Sequence, residues 1–200
     1  MSIFFTADMH FGHENANTGK GIRQHCDRPF SSIEEMDAKL IENWNSRVSN
    51  KDEVYILGDF AWRNHAHYLM AVKGKKHLVQ GNHDKMSQDV LRSFTSVGQI
   101  VQKAFNGQLI IMCHFPMRSW NARAHKSWHL FGHVHGRLNN TLLPRTLDVG
   151  VDTHAFMPWS LDEVVEAMKR WSDIPVYHEV EPCVLPGQEA TVTPDADVMT

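Results

Sequence analysis

The sequence predicts an α/β chain of two packed mixed sheets flanked by helices, and three observations predict it. Five short runs of apolar, β-branched or aromatic residues end in turn residues: IFFTADMH, VYILGDF, HLVQGNHD, LIIMCHF and WHLFGHVH. Each reads as a strand buried on both faces. Two longer segments carry the apolar period of helices that cover a sheet. Several strand-like runs follow one another between residues 97 and 151, which calls for a second sheet beside the first.

Taken in order, the first strand leads into Asp8 and His10. From Ser32, SIEEMDAKLIENWNSRV places Ile33, Met36, Leu40, Ile41, Trp44 and Val48 on one helical face, with Ser32 and Glu35 as a capping box. The next two strands end at Asp59 and Asn82. After Asp84, KMSQDVLRSF reads as a helix, and a carboxylate is favoured at a helix start. LIIMCHF ends at His114. The segment FPMRSWNARAHKSW is too long for a tight connection and reads as a lid beside the strand ends, carrying Arg118, Arg123, His125 and Lys126 among Trp120 and Trp128. Its cations and rings could hold a phosphate and stack a base, or form a solvated loop anchored by its aromatics. WHLFGHVH brings in His133 and His135. TLDVGVDTHAFMPW alternates like a strand, with Gly150 allowing a bend and His154 either lining the pocket or packing. In SLDEVVEAMKRW, Ser160 and Glu163 form a capping box ahead of an apolar face of Leu161, Val164, Val165, Met168 and Trp171.

With 200 residues and 42% hydrophobic content, the chain is sized for a single packed domain. That domain is expected over residues 1 to 180. Residues 181 to 200 contain three prolines, four acidic residues and no Lys or Arg, the composition of a loosely docked tail. Setting those four charges aside from the total of −3 leaves residues 1 to 180 at +1, which gives no sign of long nucleic acid as a partner. Cys26, Cys113 and Cys183 are widely spaced and odd in number, as in a reducing compartment. Cys113 reads as a small buried hydrophobe. The chain shows neither a signal-peptide pattern nor a membrane-length apolar run, so a cytoplasmic location is expected.

The chemistry lies where the strands end. Asp8, His10, Asp59, Asn82, His114, His133 and His135 are carboxylates, imidazoles and one amide, a donor set that favours manganese, iron or zinc over copper(I) or iron–sulfur clusters. The carboxyl ends of buried strands are also where an open α/β sheet binds its ligands. Singly, the Asp8 and His10 pair or Gly58-Asp59 could be ordinary turns. Gly-Asn-His-Asp at 81 to 84 and Gly-His-Val-His at 132 to 135 are more specific, and all five blocks in order are more specific still.

These blocks resemble the calcineurin-like metallophosphoesterase superfamily over residues 8 to 135. The stretches TADMHFGHEN and RPFSSIEEMDAKLIENWN are similar to its small bacterial and phage members, extending the likeness to about residue 172. The resemblance implies a four-layer αββα sandwich and two divalent ions, manganese first, with iron, zinc or nickel as alternatives. It assigns Asp8, His10, Asp59 and His135 to one ion, and Asp59, Asn82, His114 and His133 to the other. Asp59 would bridge them at about 3.5 to 4 Å, and a hydroxide between the ions would attack phosphorus in line. His83 would be the proton donor to the leaving group, with Asp84 as its orienting carboxylate or as a helix N-terminal acid.

Arg63 falls where the protein phosphatases of the superfamily place a phosphate-gripping arginine, but Trp62 and Asn64 flank it in place of aspartate and glycine. Met86 stands where that branch carries a second arginine, so a phosphoprotein substrate is disfavoured. Arg63 reads either as a phosphate contact or as a surface charge, and His13 and Arg118 are further candidates for substrate contact. The expected function is hydrolysis of small phosphate esters, with nucleotide-type diesters ahead of monoesters. A non-catalytic metal-binding scaffold is the alternative from another class. Oligomeric state is not legible in the sequence.

Overall fold

The computed structural model describes residues 1–15, 17–138 and 143–172, so the expected acidic tail and the boundary at residue 180 lie outside the described residues. In chain order the strands are β1 (Ile3–Thr6), β2 (Glu53–Ile56), β3 (Lys75–Val79), β4 (Ser96–Gly98), β5 (Ile100–Phe105), β6 (Gln108–Cys113), β7 (Trp128–Phe131), β8 (Thr146–Asp148) and β9 (Trp159–Ser160). The helices are α1 (Ile22–His25), α2 (Ile33–Arg47), α3 (His65–Ala71), α4 (Gln88–Leu91) and α5 (Leu161–Met168). One sheet has the order β4-β3-β2-β1-β9 and is parallel except for β9. The other has the order β5-β6-β7-β8, with β5 antiparallel to β6 and the rest parallel. Both sheets are mixed and carry flanking helices, as the strand and helix pattern predicts.

Alternate residues of the first sheet feed two cores, because successive strand side chains point to opposite faces. Phe4, Val54, Ile56 and Leu78 pack outward with Met36, Leu40, Trp44, Tyr68 and Leu69 of α2 and α3. Phe5, Tyr55, Leu57 and Val79 point inward, where they meet Ile110, Met112, Leu130 and Leu147 of the second sheet and Val164 and Met168 of α5. Buried on both faces, the central strands read as continuous apolar runs. The sheets touch at the ends of β1 and β8, through a bridge between Ala7 and Gly150. No described helix is long and apolar enough to cross a membrane.

Several local expectations shift. Ser32 caps α2 by accepting from the Glu35 N–H, but the Glu35 carboxylate reaches back to Ser31, so only half of the expected box forms. The box at Ser160 and Glu163 closes fully. Val165 is exposed, and Leu161 and Trp171 are only partly buried, so the α5 face is narrower than its periodicity predicts. The helix expected after Asp84 shrinks to the single turn of α4, capped by Ser87. In the second half, β8 stops at Asp148, and a tight turn over Val151–Thr153 replaces the longer strand.

The expected lid is instead packed against β7. Trp120 is buried against His129 at 5.3 Å and donates to Ser127, while His129 accepts from the Met117 N–H. This is the anchored-loop form of the two readings.

Candidate metal centre

Backbone pairing beyond the strand ends builds the crevice. Asp8 N–H donates to the Gly58 carbonyl, His10 N–H to that of Asp59 and Phe11 N–H to that of Phe60, which zips the loop after β1 to the loop after β2. His114 follows β6, and its carbonyl accepts from the Gly132 N–H at the end of β7. Gly81 and Gly58 meet where these loops converge. A side-chain carbon on Gly58 would fall 2.7 Å from the Gly81 backbone and against His114 Nδ1, and one on Gly81 would strike the Asp59 carboxylate. Only glycine admits this approach.

Five of the seven expected ligands have left-handed backbone: Asp8 (φ 61°), His10 (52°), Asp59 (54°), His133 (72°) and His135 (50°). Such conformations are costly for residues bearing a Cβ and collect at functional sites. Here they turn side chains back over the strand ends into one cluster. Asp8, His10 and His135 bring ligand atoms within 4.8 Å of one another, as do Asp59, His114 and His133. Asp59 Oδ2 lies 3.4 Å from His10 Nε2 and 3.4 Å from His114 Nε2, so it faces both groups. Asn82 Oδ1 is 3.0 Å from His114 Nε2. All seven ligands suggested by the sequence therefore converge.

The charges are poorly balanced within the protein alone. Asp8 is 0% exposed, and burial above all pushes its carboxyl up to about 7 despite the nearby His135 and His114. Burial lowers His10 to about 2, against the pull of Asp59. At Asp59, burial is outweighed by the His114 hydrogen bond and the His114 and His10 charges, which hold the carboxyl at about 2. Burial also opposes charge on His135, but its hydrogen bonds to Asp152 and Cys26 and the charge of Asp8 raise it to about 10. A buried carboxylate short of positive charge, ringed by oxygen and nitrogen donors, fits a divalent cation.

The supporting contacts are specific. His114 Nδ1 is 2.8 Å from the Leu57 carbonyl, which leaves Nε2 toward Asp59 and Asn82. His135 Nδ1 is 2.7 Å from Asp152 Oδ2. Arg28, whose side chain is fully buried, pairs with both Asp152 oxygens at 2.8 Å and donates to the carbonyls of Asp8 (2.6 Å) and Met9 (3.0 Å). Asp148 accepts from Gly136 and Gly150 N–H, both at 2.8 Å, bracing the His135 turn. No sequence pattern pointed to Arg28, Asp148 or Asp152, whose partners are distant in sequence or belong to the backbone. Cys26 also lies within ligand reach of His135 and Asp152, but Asp152 is already engaged by Arg28.

His83 stands at the crevice, its ring 5.5 Å from His10 and its N–H donating to Asp59 Oδ1. Asp84 does neither of the things expected of it. Its buried carboxylate accepts the N–H groups of Asp59, Phe60 and Gly81, and makes no hydrogen bond to the His83 ring. It also precedes α4 by too far to cap it, because the helix begins only at Gln88. His13 does reach the site, 5.2 Å from His10. Arg63 is engaged elsewhere, donating to the carbonyls of Gly12 and Glu14, so the surface-charge reading becomes a loop staple. Arg118 lines a recess with Met117, Phe131 and Leu138. His154 packs on Trp159.

A sequence model described as calcineurin-like phosphoesterase matches residues 1–111. The chain belongs to the calcineurin-like phosphoesterase family. The uncharacterized protein MJ1445 of Methanocaldococcus jannaschii is 30% identical over 178 residues, covering 84% of this chain and 92% of that protein. The gene 66 protein of Mycobacterium phage D29 is 27% identical over 199 residues, covering 82% and 94%. In fold the chain is similar to the Aquifex aeolicus protein of unknown function AQ665, with a TM-score of 0.66 at 22% identity over 83% of this chain and 98% of that one. Family membership supports divalent-metal binding and metal-dependent hydrolysis of phosphate esters.

Proposed function

We propose that this phosphoesterase is a dinuclear enzyme that hydrolyses phosphodiesters of nucleotide type. The observation that carries the reading is Asp59, whose single carboxylate oxygen faces both ligand groups at 3.4 Å. Asp8, His10, Asp59 and His135 would hold one ion, and Asp59, Asn82, His114 and His133 the other. Divalent ions supply Lewis-acid charge to phosphoryl oxygens and lower the pKa of water. We propose manganese as the ion, in keeping with the mixture of carboxylate, amide and imidazole donors.

The remaining roles belong to the protein. His83 lies beside the ligand rings, and an imidazole there can protonate a departing alkoxide near neutral pH. His13 is held down to about 4, chiefly by burial and then by His83 and His25, so at neutral pH it meets substrate uncharged. Arg28 and Arg63 spend their guanidinium groups on Asp152 and on loop carbonyls. That favours the single negative charge of a diester over a monoester dianion, which calls for an added cationic clamp. The free thiols Cys26 and Cys113 are in keeping with a cytoplasmic protein.

The test is manganese-supplemented hydrolysis of bis-p-nitrophenyl phosphate against p-nitrophenyl phosphate, with Asp59→Asn protein as the blank. Faster diester turnover supports the reading. Faster monoester turnover assigns a phosphomonoesterase, and no turnover of either ester by metal-loaded protein would leave a binding scaffold.

A further inference from the structure

Two large rings at the crevice are left uncovered. Trp62 and Phe115 each keep 45% of their surface exposed. Trp62 lies flat on His13, with centroids 4.0 Å apart and 10° between the planes, and its ring is 5.1 Å from His83. Phe115 adjoins the other half of the centre, 4.7 Å from His133 and 4.9 Å from His114. Each half of the metal centre therefore carries one open aromatic face beside it.

The Trp62 platform is rigidly built. Its backbone N–H donates to the Phe11 carbonyl at 2.8 Å, and the adjoining Arg63 is fastened to the Gly12 and Glu14 carbonyls. One face is backed by His13, and that backing holds the indole in place without covering it. The tryptophans of the 115–128 segment are not equivalent. Trp120 is buried on His129, and Trp128 lines a different recess with Gln108 and Met168.

We propose that Trp62, backed by His13, is a stacking platform that binds a planar aromatic group of the substrate, such as a nucleobase, while its phosphate occupies the metal crevice. Phe115 bounds the crevice on the His133 side. This assignment rests on the phosphoesterase reading for the place of the phosphate, and it adds the group that selects the substrate. A π face accepts any base, so the platform selects for the presence of a base more than for its identity.

The test is calorimetric titration of manganese-loaded protein with AMP and with ribose 5-phosphate, which share sugar and phosphate and differ in the base. The native protein is expected to bind AMP about 5- to 150-fold more tightly, the range of base stacking on an aromatic side chain. In Trp62→Ala that ratio should fall toward one, and Trp62→Phe should keep most of it. Equal affinity of the native protein for the two probes, no binding of either, or a preference that survives Trp62→Ala would overturn the platform. Hydrolysis of bis-p-nitrophenyl phosphate and of p-nitrophenyl phosphate, read on the same samples, separates this inference from the reading beneath it. A Trp62-dependent preference in protein that hydrolyses nothing supports the platform while removing the hydrolase. Hydrolysis without the preference removes the platform alone.

Discussion

Replacing Asp84 with asparagine separates two roles for this carboxylate, as a brace for the metal loops or as a partner of His83. In the native structure Oδ2 accepts from the Asp59 N–H at 2.9 Å and the Gly81 N–H at 2.8 Å, and Oδ1 accepts from the Phe60 N–H at 2.9 Å. The amide keeps one accepting oxygen and turns an NH2 group toward the third donor. One stranded buried N–H costs about 1 to 3 kcal/mol, and loss of charge on the other two bonds about 0.5 to 1 kcal/mol each. The total, about 2 to 5 kcal/mol, corresponds to a fall in Tm of about 5 to 20 °C for a domain of this size. The same change loosens the turns that carry Asp59 and Asn82, so manganese affinity should fall with stability. Thermal unfolding and metal titration of the purified variant read both effects. Native Tm and metal affinity combined with reduced turnover would refute the bracing role and return Asp84 to His83.

Arg28→Met leaves Asp152 with His135 as its remaining charged partner and strips the buried Asp8 and Met9 carbonyls of their donor, which should cost about 3 to 5 kcal/mol in urea unfolding and weaken manganese binding about 10- to 100-fold by calorimetry. The Ser2 N–H, then the Ser49 N–H and hydroxyl, hold the Asp52 carboxyl down to about 2. A depressed carboxyl stabilises the fold above its unfolded value near 4, and that contribution disappears as pH falls toward 2. After solvent screening it amounts to about 1 kcal/mol, so native protein should lose that much more stability than Asp52→Asn between pH 5 and pH 2.5 in paired urea titrations. His83→Ala should keep its metals while turnover falls most for esters with poor leaving groups, and an equal loss across leaving groups would argue against a proton donor.

Much of the centre was legible because a buried strand leaves a mark that survives without three-dimensional knowledge. Apolar runs ending in Asp8, Asp59, Asn82, His114 and His133 gave both the sheet and the crevice, since those side chains follow strands that end together. The bracing groups left no such mark. Arg28 and Asp152 are 124 residues apart, and Arg28 sits outside any periodic segment. The bracing contacts of Asp84 are not legible, because a carboxylate beside His83 and ahead of a polar stretch suggests a histidine partner or a helix start, whereas its partners are backbone N–H groups brought in by β2 and β3. Arg63 was ambiguous for a similar reason: a cation near phosphate ligands can as readily staple a loop, and its carbonyl partners have no sequence signature. The exposure of Trp62 was likewise invisible, because nothing in its neighbours distinguishes an open indole from the buried one at Trp120.

The most direct test of the account is a manganese titration of metal-free protein, with bound metal and diester turnover read from the same samples. Turnover should rise to a plateau at two ions per chain, and Asp59→Asn should lose both the second ion and the activity. Full turnover with one ion bound, or with none, would contradict a centre in which one carboxylate serves two metals.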